Sequence, residues 1–372
     1  MTMTMKMKAL LRYDLVLVMT AVLLTGGIFL QSSASAETPA ADRAEQYIDL
    51  HLHLEGAITL EIAKKLAAIQ NIELPGENDE ELEAKLTVPD DCESLNDFLE
   101  CFALPLSLMQ TPEGLSEAVR LVCDNIQSQG VIYAELRWAP QLHTEKGMTQ
   151  EDAIVAALEG LKKTSLKANL ILCCMRGEGN EEQNEETLRL TRKYLVEDGG
   201  VVAMDLAGAE AIYPTENYKE LFEKAKEAGV PFTIHAGEAA GPESVRTAVG
   251  YGAKRIGHGV RSYEDPEVVR LLKENEVTLE LCPTSNRQTH AIENMDAYPL
   301  IDYLNEGIRV TLNTDDMGIE GTTLPEEFRD MEDRFGLTDE QRMTLLENAV
   351  EAAFTTEEVR NDFREKLGIT ER

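Results

Sequence analysis

Two histidines stand two residues apart in the segment from Gln46 to Leu54, which reads Gln-Tyr-Ile-Asp-Leu-His-Leu-His-Leu. Its alternation of apolar and polar residues predicts a β-strand, so His51 and His53 project from one face, about 6.6 Å apart along the chain. Two imidazoles at this spacing can reach one metal ion. Taken alone, the pattern is equally typical of an ordinary core or surface strand.

Other polar residues share one property, which is that each comes at or just after the end of a strand-like segment: His235, Glu238, His258, Asp315 and Asp316. Each has a plainer explanation by itself. His258 could hydrogen-bond a neighbouring side chain, and the two aspartates could cap a helix. The ends of parallel strands are, however, where α/β folds carry out chemistry. The convergence of these residues therefore predicts a catalytic site.

Three imidazoles and a carboxylate suit zinc, which binds nitrogen and oxygen ligands and leaves a position for water in catalytic sites. We expect one zinc ion per chain. Zinc lowers the pKa of a bound water to about 7, so hydroxide is available at neutral pH. Glu238, His258 and Asp316 are candidates to orient that water and to supply an acid. The set predicts a metal-dependent hydrolase, with these ligands: His51, His53, His235 and Asp315.

Eight strand-like segments position these residues: 46–54, 131–138, 168–175, 201–206, 232–235, 255–258, 277–282 and 308–313. Helix-like segments separate them, which predicts an α/β fold with a parallel sheet. Eight such units favour a closed (β/α)8 TIM barrel, with a helical insertion after strand 1 and C-terminal helices from Leu324. A doubly wound open sheet is the alternative, but no glycine-rich phosphate motif follows any strand.

The charge composition limits which partners the protein can bind. The 372-residue chain has a formal net charge of −33 and a pI near 4.5, which argues against binding to nucleic acid or, for the mature domain, to an anionic membrane. Six cysteines include an adjacent pair, Cys173 and Cys174, inside an apolar run, and no CxxC motif occurs. We expect mostly buried thiols rather than disulfides.

The N-terminus has the layout of a signal peptide. Basic residues precede an apolar run from Leu15 to Leu30, and Ala34-Ser35-Ala36 supplies a small-x-small cleavage site. We expect residues 1–36 to be a signal peptide, 37–45 a spacer and 46–372 the catalytic barrel of an exported protein. A membrane-anchored or cytoplasmic protein is the alternative.

Six motifs carry a family resemblance, and they occur in this order: HLHLEG at 51–56, MDLAGAE at 204–210, HAGEAAGP at 235–242, RIGHG at 255–259, CPTSN at 282–286 and NTDD at 313–316. Together they resemble the adenosine deaminases of the amidohydrolase superfamily, over about residues 46 to 366. The resemblance implies zinc-dependent hydrolytic deamination of adenosine and deoxyadenosine to inosine and deoxyinosine plus ammonia, as in purine salvage. The expected partner is a small purine nucleoside.

The resemblance also implies individual roles. Glu238 would protonate N1 of the purine, and His258 would orient and deprotonate the water and stabilise charge. Asp316 would hold the attacking hydroxide and contact the purine, whose edge would meet the backbone of Gly208. His53 would also lie against the substrate.

One helix-like segment resembles the family's apolar substrate cover. An apolar stripe at i, i+3, i+4 and i+7 predicts an amphipathic helix, which by the resemblance would form a lid over the substrate: Leu95, Phe98, Leu99 and Phe102. Ordinary core packing is the alternative explanation. The residues give no reason to assign a role to His143, His290 or Glu178.

One position departs from the family. Its usual residue at position 55 is an aspartate that contacts ribose, whereas this chain has Glu55. Related adenine deaminases share the HxHxEG pattern, so an adenine deaminase acting on the free base is an alternative. A catalytically inactive, exported adenosine-binding protein is a second one. A deaminase of the cytidine type is set aside because the PCxxC pair is missing.

Overall fold

A computed structural model describes residues 45–89, 92, 98 and 101–369 of the chain. The proposed signal peptide, and the spacer except for Glu45, lie outside these residues, as do Leu95 and Leu99 of the apolar stripe. All six cysteines are buried, as expected. No described helix is long and apolar enough to cross a membrane.

Within the described residues, eight strands form the centre of the fold, all with parallel pairing. They are β1 (Tyr47–His53), β2 (Val131–Trp138), β3 (Lys167–Met175), β4 (Val201–Ala207), β5 (His235–Ala236), β6 (Arg255–His258), β7 (Thr278–Leu281) and β8 (Arg309–Leu312).

The ladders run in sequence order within two groups of four, β1 to β4 and β5 to β8. Backbone hydrogen bonds close both gaps. Met204 N donates to Pro231 O at 3.0 Å, and His53 N donates to Asp315 O at 2.8 Å. The barrel prediction is therefore confirmed. It places β8 beside β1.

The fifth strand is shorter than predicted, because its ladder covers only His235 and Ala236. The residues before it pair with β4 instead, through a bridge between Met204 and Phe232. Pairing thus changes from one neighbour to the other along the segment, so that the predicted run is not one continuous ladder.

Fifteen described α-helices surround the barrel: α1 (Leu60–Gln70), α2 (Asp79–Leu86), α3 (Ala103–Leu108), α4 (Pro112–Ser128), α5 (Gln150–Leu161), α6 (Glu181–Tyr194), α7 (Lys219–Glu227), α8 (Pro242–Tyr251), α9 (Pro266–Glu274), α10 (Pro283–Gln288), α11 (Leu300–Glu306), α12 (Met317–Glu320), α13 (Leu324–Phe335), α14 (Asp339–Ala352) and α15 (Glu357–Leu367). Helices α1 to α4 are the insertion predicted after the first strand, and α13 to α15 are the C-terminal helices.

Two four-residue sequence patterns, TDEQ at 338–341 and TTEE at 355–358, each predict a capping box at the start of one of the last two helices. Thr338 and Gln341 form the capping box expected at the start of α14. At α15 the predicted box beginning at Thr355 is wrong, because Thr356 is the capping residue and accepts from Val359 N. The threonine one position later is therefore the one that satisfies an orphan N–H of the first turn.

Candidate active site

The four predicted metal ligands meet at the end of the barrel where the strands finish. His53 Nε2 lies 3.1 Å from His235 Nε2. Asp315 Oδ1 lies 3.1 Å from His51 Nε2 and 3.3 Å from His53 Nε2. The closing hydrogen bonds between β8 and β1 produce this geometry, since Asp315 N also donates to His51 O at 2.8 Å.

The donor atoms fit a metal ion. His51 Nε2 and Asp315 Oδ1 are buried, and neither has a hydrogen-bond partner among the described residues. His51 Nδ1 is 2.9 Å from Glu280 Oε2, so Nδ1 carries the proton and Nε2 presents a lone pair. A lone pair and a carboxylate oxygen in contact repel each other unless a cation lies between them. The arrangement therefore suits a cation held by His51, His53, His235 and Asp315.

The pKa shifts agree with neutral imidazoles at His51 and His53 and with an ionised carboxylate at Asp315. At His235, burial lowers the pKa, but the charge of Asp205 outweighs burial and the pKa is raised. Burial lowers the pKa of His51, and it lowers that of His53 still further below its usual value. For Asp315, burial opposes ionisation, but electrostatic interaction with His51 and His258 outweighs it and holds the pKa well below the ordinary value. Neutral imidazoles and carboxylates are the forms that coordinate metals.

Buried charges hold two of these histidines from behind. Glu280 Oε2, which accepts from His51, also accepts from Arg137 at 2.7 Å. Asp205 Oδ2 lies 2.8 Å from His235 Nδ1 and accepts from Arg137 at 3.0 Å. One guanidinium thus holds both carboxylates that orient the metal-facing histidines, and such partners fix the tautomer and direction of a ligand.

Electrostatics keep both carboxylates ionised although they are buried. Burial raises the pKa of Glu280, but Arg137 and Arg255 outweigh it and the pKa lies well below the ordinary value. For Asp205, burial is likewise outweighed by the charges of His235 and Arg137, and the pKa is lowered. His51 and His235 therefore each face an ionised carboxylate.

Glu238 sits on a turn organised by Glu210. The buried Glu210 carboxylate accepts backbone hydrogen bonds from Gly237, Glu238, Ala239 and Ala240, at 2.8–3.1 Å. This ring of donors fixes the turn after β5. It leaves the Glu238 side chain partly exposed, with Oε2 3.5 Å from His258 Nε2.

His258 also belongs to the cluster by distance, since one ligand atom each from His51, His235, His258 and Asp315 lie within 4.8 Å of one another. Its hydrogen bonds determine which ring nitrogen carries the proton. Tyr298 OH lies 2.9 Å from Asn286 Oδ1, and Asn286 Nδ2 lies 3.0 Å from His258 Nδ1. With Asn286 donating, the neutral His258 ring carries its proton on Nε2. That nitrogen faces the cluster as a donor and not as a ligand.

Asp316 is a different kind of carboxylate from its neighbour. Burial raises its pKa well above the usual range, and Asp315 raises it further. Burial and the same two aspartates also raise the pKa of Glu320, the third carboxylate of this group. Gly56 makes room for Asp316, because a Cβ there would lie 1.7 Å from Asp316 Oδ1. Asp316 therefore binds a proton more readily than an ordinary aspartate does.

Two of the predicted substrate contacts, Glu55 and Gly208, follow the ends of strands. Glu55 is buried at the end of β1 and Gly208 follows β4 with φ +103°, a conformation that favours glycine. The described part of the apolar stripe packs against α12: Phe98 is buried, its ring is 5.8 Å from that of Phe102, and both pack with Ile319. The lid role stays a prediction.

Sequence reasoning missed the residues that support the site, namely Arg137, Asp205, Glu210, Arg255, Glu280 and Asn286. A signal for some of them was present, since charged residues inside apolar strands must find partners in the barrel. Glu280 in β7 and Arg137 in β2 are examples. Nothing in the sequence pointed to Asn286 as the partner of His258.

Known proteins resemble this chain over most of its length. The sequence profile of the family described as Adenosine deaminase matches residues 47–369. The adenosine deaminase of Haemophilus ducreyi is 48% identical over 321 residues, which cover 84% of this chain and 92% of that protein. The solved structure of adenine deaminase from Arthrobacter aurescens is 26% identical, with a TM-score of 0.78 over 87% of this chain and 98% of that one. An amidohydrolase from Burkholderia ambifaria, solved with bound Zn, shares the fold at 21% identity, with a TM-score of 0.77 over 90% and 94% of the two chains.

Proposed function

The chain belongs to the adenosine deaminase family, and on that premise we propose that it hydrolyses the 6-amino group of adenosine and deoxyadenosine, releasing ammonia and inosine or deoxyinosine. One observation carries the proposal. The side chains of His51, His53, His235 and Asp315 meet at one point, with distances of 3.1–3.3 Å between their contacting nitrogen and oxygen atoms. An acid, Glu238, lies 3.5 Å from the neighbouring His258. This combination provides a metal site and a proton donor at one strand-end rim.

Zinc is the metal we propose for the four ligands, and when bound it lowers the pKa of a water molecule so that hydroxide forms near neutral pH. Support for zinc comes from the donor set of three imidazoles and one carboxylate. Glu280 and Asp205 hold His51 and His235 with their Nε2 atoms inward, so little rearrangement is needed when the ion binds.

Glu238 is the acid of the reaction. Attack at C6 of the purine breaks the ring's aromatic system, and protonation of N1 offsets this cost. Glu238 lies on the rim with its backbone fixed by Glu210, so its carboxyl group can approach a bound ring without moving the chain. Glu238 gives its proton to N1, where inosine keeps it. The amino group takes the proton of the new C6 hydroxyl and leaves as ammonia, and Glu238 regains a proton from the next water molecule.

His258 and Asp316 complete the site. The Nε2–H of His258 points at Asp315 and Glu238, 3.6 and 3.5 Å away, which suits it to orient the attacking oxygen and to stabilise negative charge. In this tautomer it is a donor, so the geometry favours these roles over removal of the water proton. Burial and the charge of Asp315 favour the protonated form of Asp316, and in that form its carboxyl group can donate a hydrogen bond to a purine nitrogen.

Adenine is the second candidate substrate, because Glu55 replaces the aspartate that contacts ribose in the resembled family and an adenine deaminase shares the fold. The test is to mix metal-loaded protein, residues 37–372, separately with adenosine, deoxyadenosine and adenine, and to follow ammonia release and ultraviolet absorbance. We expect both nucleosides to be deaminated and adenine to remain. Turnover of adenine alone would transfer the activity to the free base, and no ammonia from any of the three would contradict the proposal.

A further inference from the structure

We propose that His143 is a positioning residue that fixes Glu55 as the sugar-binding carboxylate, so that the two together select nucleosides over free bases. The inference rests on the proposed function, which supplies the ribose. It also explains why this chain can use a glutamate at position 55.

His143 is completely buried at the end of the short 3₁₀ helix Pro140–His143 that follows β2. Its Nε2 lies 2.9 Å from Glu55 Oε1, and its Nδ1 lies 3.1 Å from Met109 O. The ring also stands edge-on to Trp138, with centroids 5.2 Å apart. Contacts on three sides leave the imidazole one orientation.

The hydrogen-bond roles follow from the partners. A carbonyl oxygen only accepts, so Nδ1 of His143 carries a proton and donates it to Met109 O. The short contact on the other side of the ring requires a further proton between Nε2 and Glu55 Oε1. Ala139 N approaches the same oxygen at 3.4 Å. Both of these contacts of Oε1 of Glu55 are therefore made within the protein.

The second carboxylate oxygen of Glu55, Oε2, is available to a ligand. No hydrogen bond joins Oε2 to any residue in the described part of the chain, although Glu55 is only 4% exposed. Glu55 lies two residues after His53, and the next residue, Gly56, is packed against Asp316. A carboxylate oxygen held still at this rim is an acceptor for a hydroxyl of a bound sugar. A free base has no such hydroxyl to offer.

The length of Glu55 matters for this arrangement. An aspartate would be shorter by one methylene, about 1.5 Å, and could not keep the 2.9 Å contact with His143 from the same backbone position. Glu55 and the buried His143 thus act as one unit. Breaking either half frees the carboxyl group and lowers affinity for the ribose.

The test compares ligands with and without the sugar. Dissociation constants of inosine and hypoxanthine are measured by calorimetry for zinc-loaded wild type, His143→Ala and His143→Gln. We expect His143→Ala to weaken inosine about ten-fold or more and to leave hypoxanthine within about two-fold, with unchanged zinc content. His143→Gln keeps an N–H donor and should recover part of the loss. Equal weakening of both ligands would overturn the proposal.

A double-mutant cycle separates positioning from general packing. If His143 acts through Glu55, then His143→Ala in a Glu55→Ala background should add almost nothing to the loss of inosine binding, and full additivity would contradict the inference. Gln110→Ala is the matched control, because Gln110 ties the same loop to Leu142 O at 2.8 Å without touching Glu55. We expect it to leave the ratio of inosine to hypoxanthine affinity unchanged. Wild-type protein that deaminates no nucleoside would count against the proposed function instead.

Discussion

His53 and His235 meet tip to tip, with their Nε2 atoms 3.1 Å apart although 182 residues separate them in the chain. The other nitrogen of His235 faces the Asp205 carboxylate at 2.8 Å. The Nε2 of a neutral His235 ring is therefore a lone pair directed at His53. Such a contact is favourable when the two imidazoles share a cation.

Removing His53 should therefore remove the metal and the activity together. For His53→Ala we expect metal content well below one ion per chain and no measurable ammonia release, because one of four ligands is lost. Metal analysis and a deamination assay on the same sample make the measurement. His290→Asn is the control, since His290 bonds to Cys92 O on the rim and has no place in the cluster. An active, metal-replete His53→Ala protein would rule out a ligand role.

Arg137→Lys should weaken metal binding without removing a ligand. Lysine keeps the buried charge but cannot hold Asp205 and Glu280 with one planar fork. We expect metal affinity to fall about 10- to 100-fold, measured by competition with a chelator. Arg255→Lys is the matched comparison, because Arg255 bonds to Glu280 but not to Asp205. A loss no larger than that of Arg255→Lys would show that bridging both carboxylates is unimportant.

Glu238→Gln should preserve the metal and the fold and destroy catalysis. The amide keeps the shape of the side chain but cannot transfer a proton to N1, so kcat should fall by about 10²- to 10⁴-fold. Steady-state kinetics and metal analysis test this. Glu178→Gln, an exposed rim carboxylate after β3, is the control. Near-normal turnover by Glu238→Gln would exclude Glu238 as the acid.

Glu327 should make the protein less stable as the pH rises through neutrality. Burial raises its pKa from 4.5 to about 7, although hydrogen bonds from Thr284 and Thr322 oppose the shift. The folded state thus binds the proton more tightly than the unfolded state. This contribution is complete below about pH 4.5 and is lost as the pH rises through 7, a change of about 3 kcal/mol in the free energy of unfolding.

Replacing Glu327 by glutamine removes the titrating group while keeping its shape. From pH 4.5 to above 7, the free energy of unfolding of Glu327→Gln should rise relative to wild type by about 3 kcal/mol, as measured by urea titrations of metal-loaded proteins. Glu326→Gln changes the exposed neighbouring carboxylate and should show no such trend. Parallel pH profiles for wild type and Glu327→Gln would contradict the assignment.

Export is our proposal for the N-terminal segment. If residues 1–36 are a signal peptide, protein recovered from its native source should begin near Glu37, which N-terminal sequencing detects. Replacing Ala34 and Ala36 by large residues should block cleavage, because the processing site requires small side chains. Cytosolic protein that retains Met1 would contradict export.

The sequence by itself determined the chemistry of this protein and most of its barrel. Strand periodicity and strand-end polar residues are local signals, and they predicted seven of the eight strands to within one residue at each end, the insertion after β1, and the candidates His51, His53, His235 and Asp315. Local patterns failed at β5, because the predicted segment pairs with β4 before it pairs with β6. They also failed at α15, where the capping residue is Thr356 and not the predicted Thr355.

Only the tertiary structure decided which side chains hold these candidates in place. Arg137 meets Asp205 across 68 residues and Glu280 across 143, and His143 meets Glu55 across 88. These contacts exist because the barrel closes and brings distant strands together at one end. No periodicity or spacing encodes them, since a hydrogen bond between buried groups depends on distances that closure alone sets.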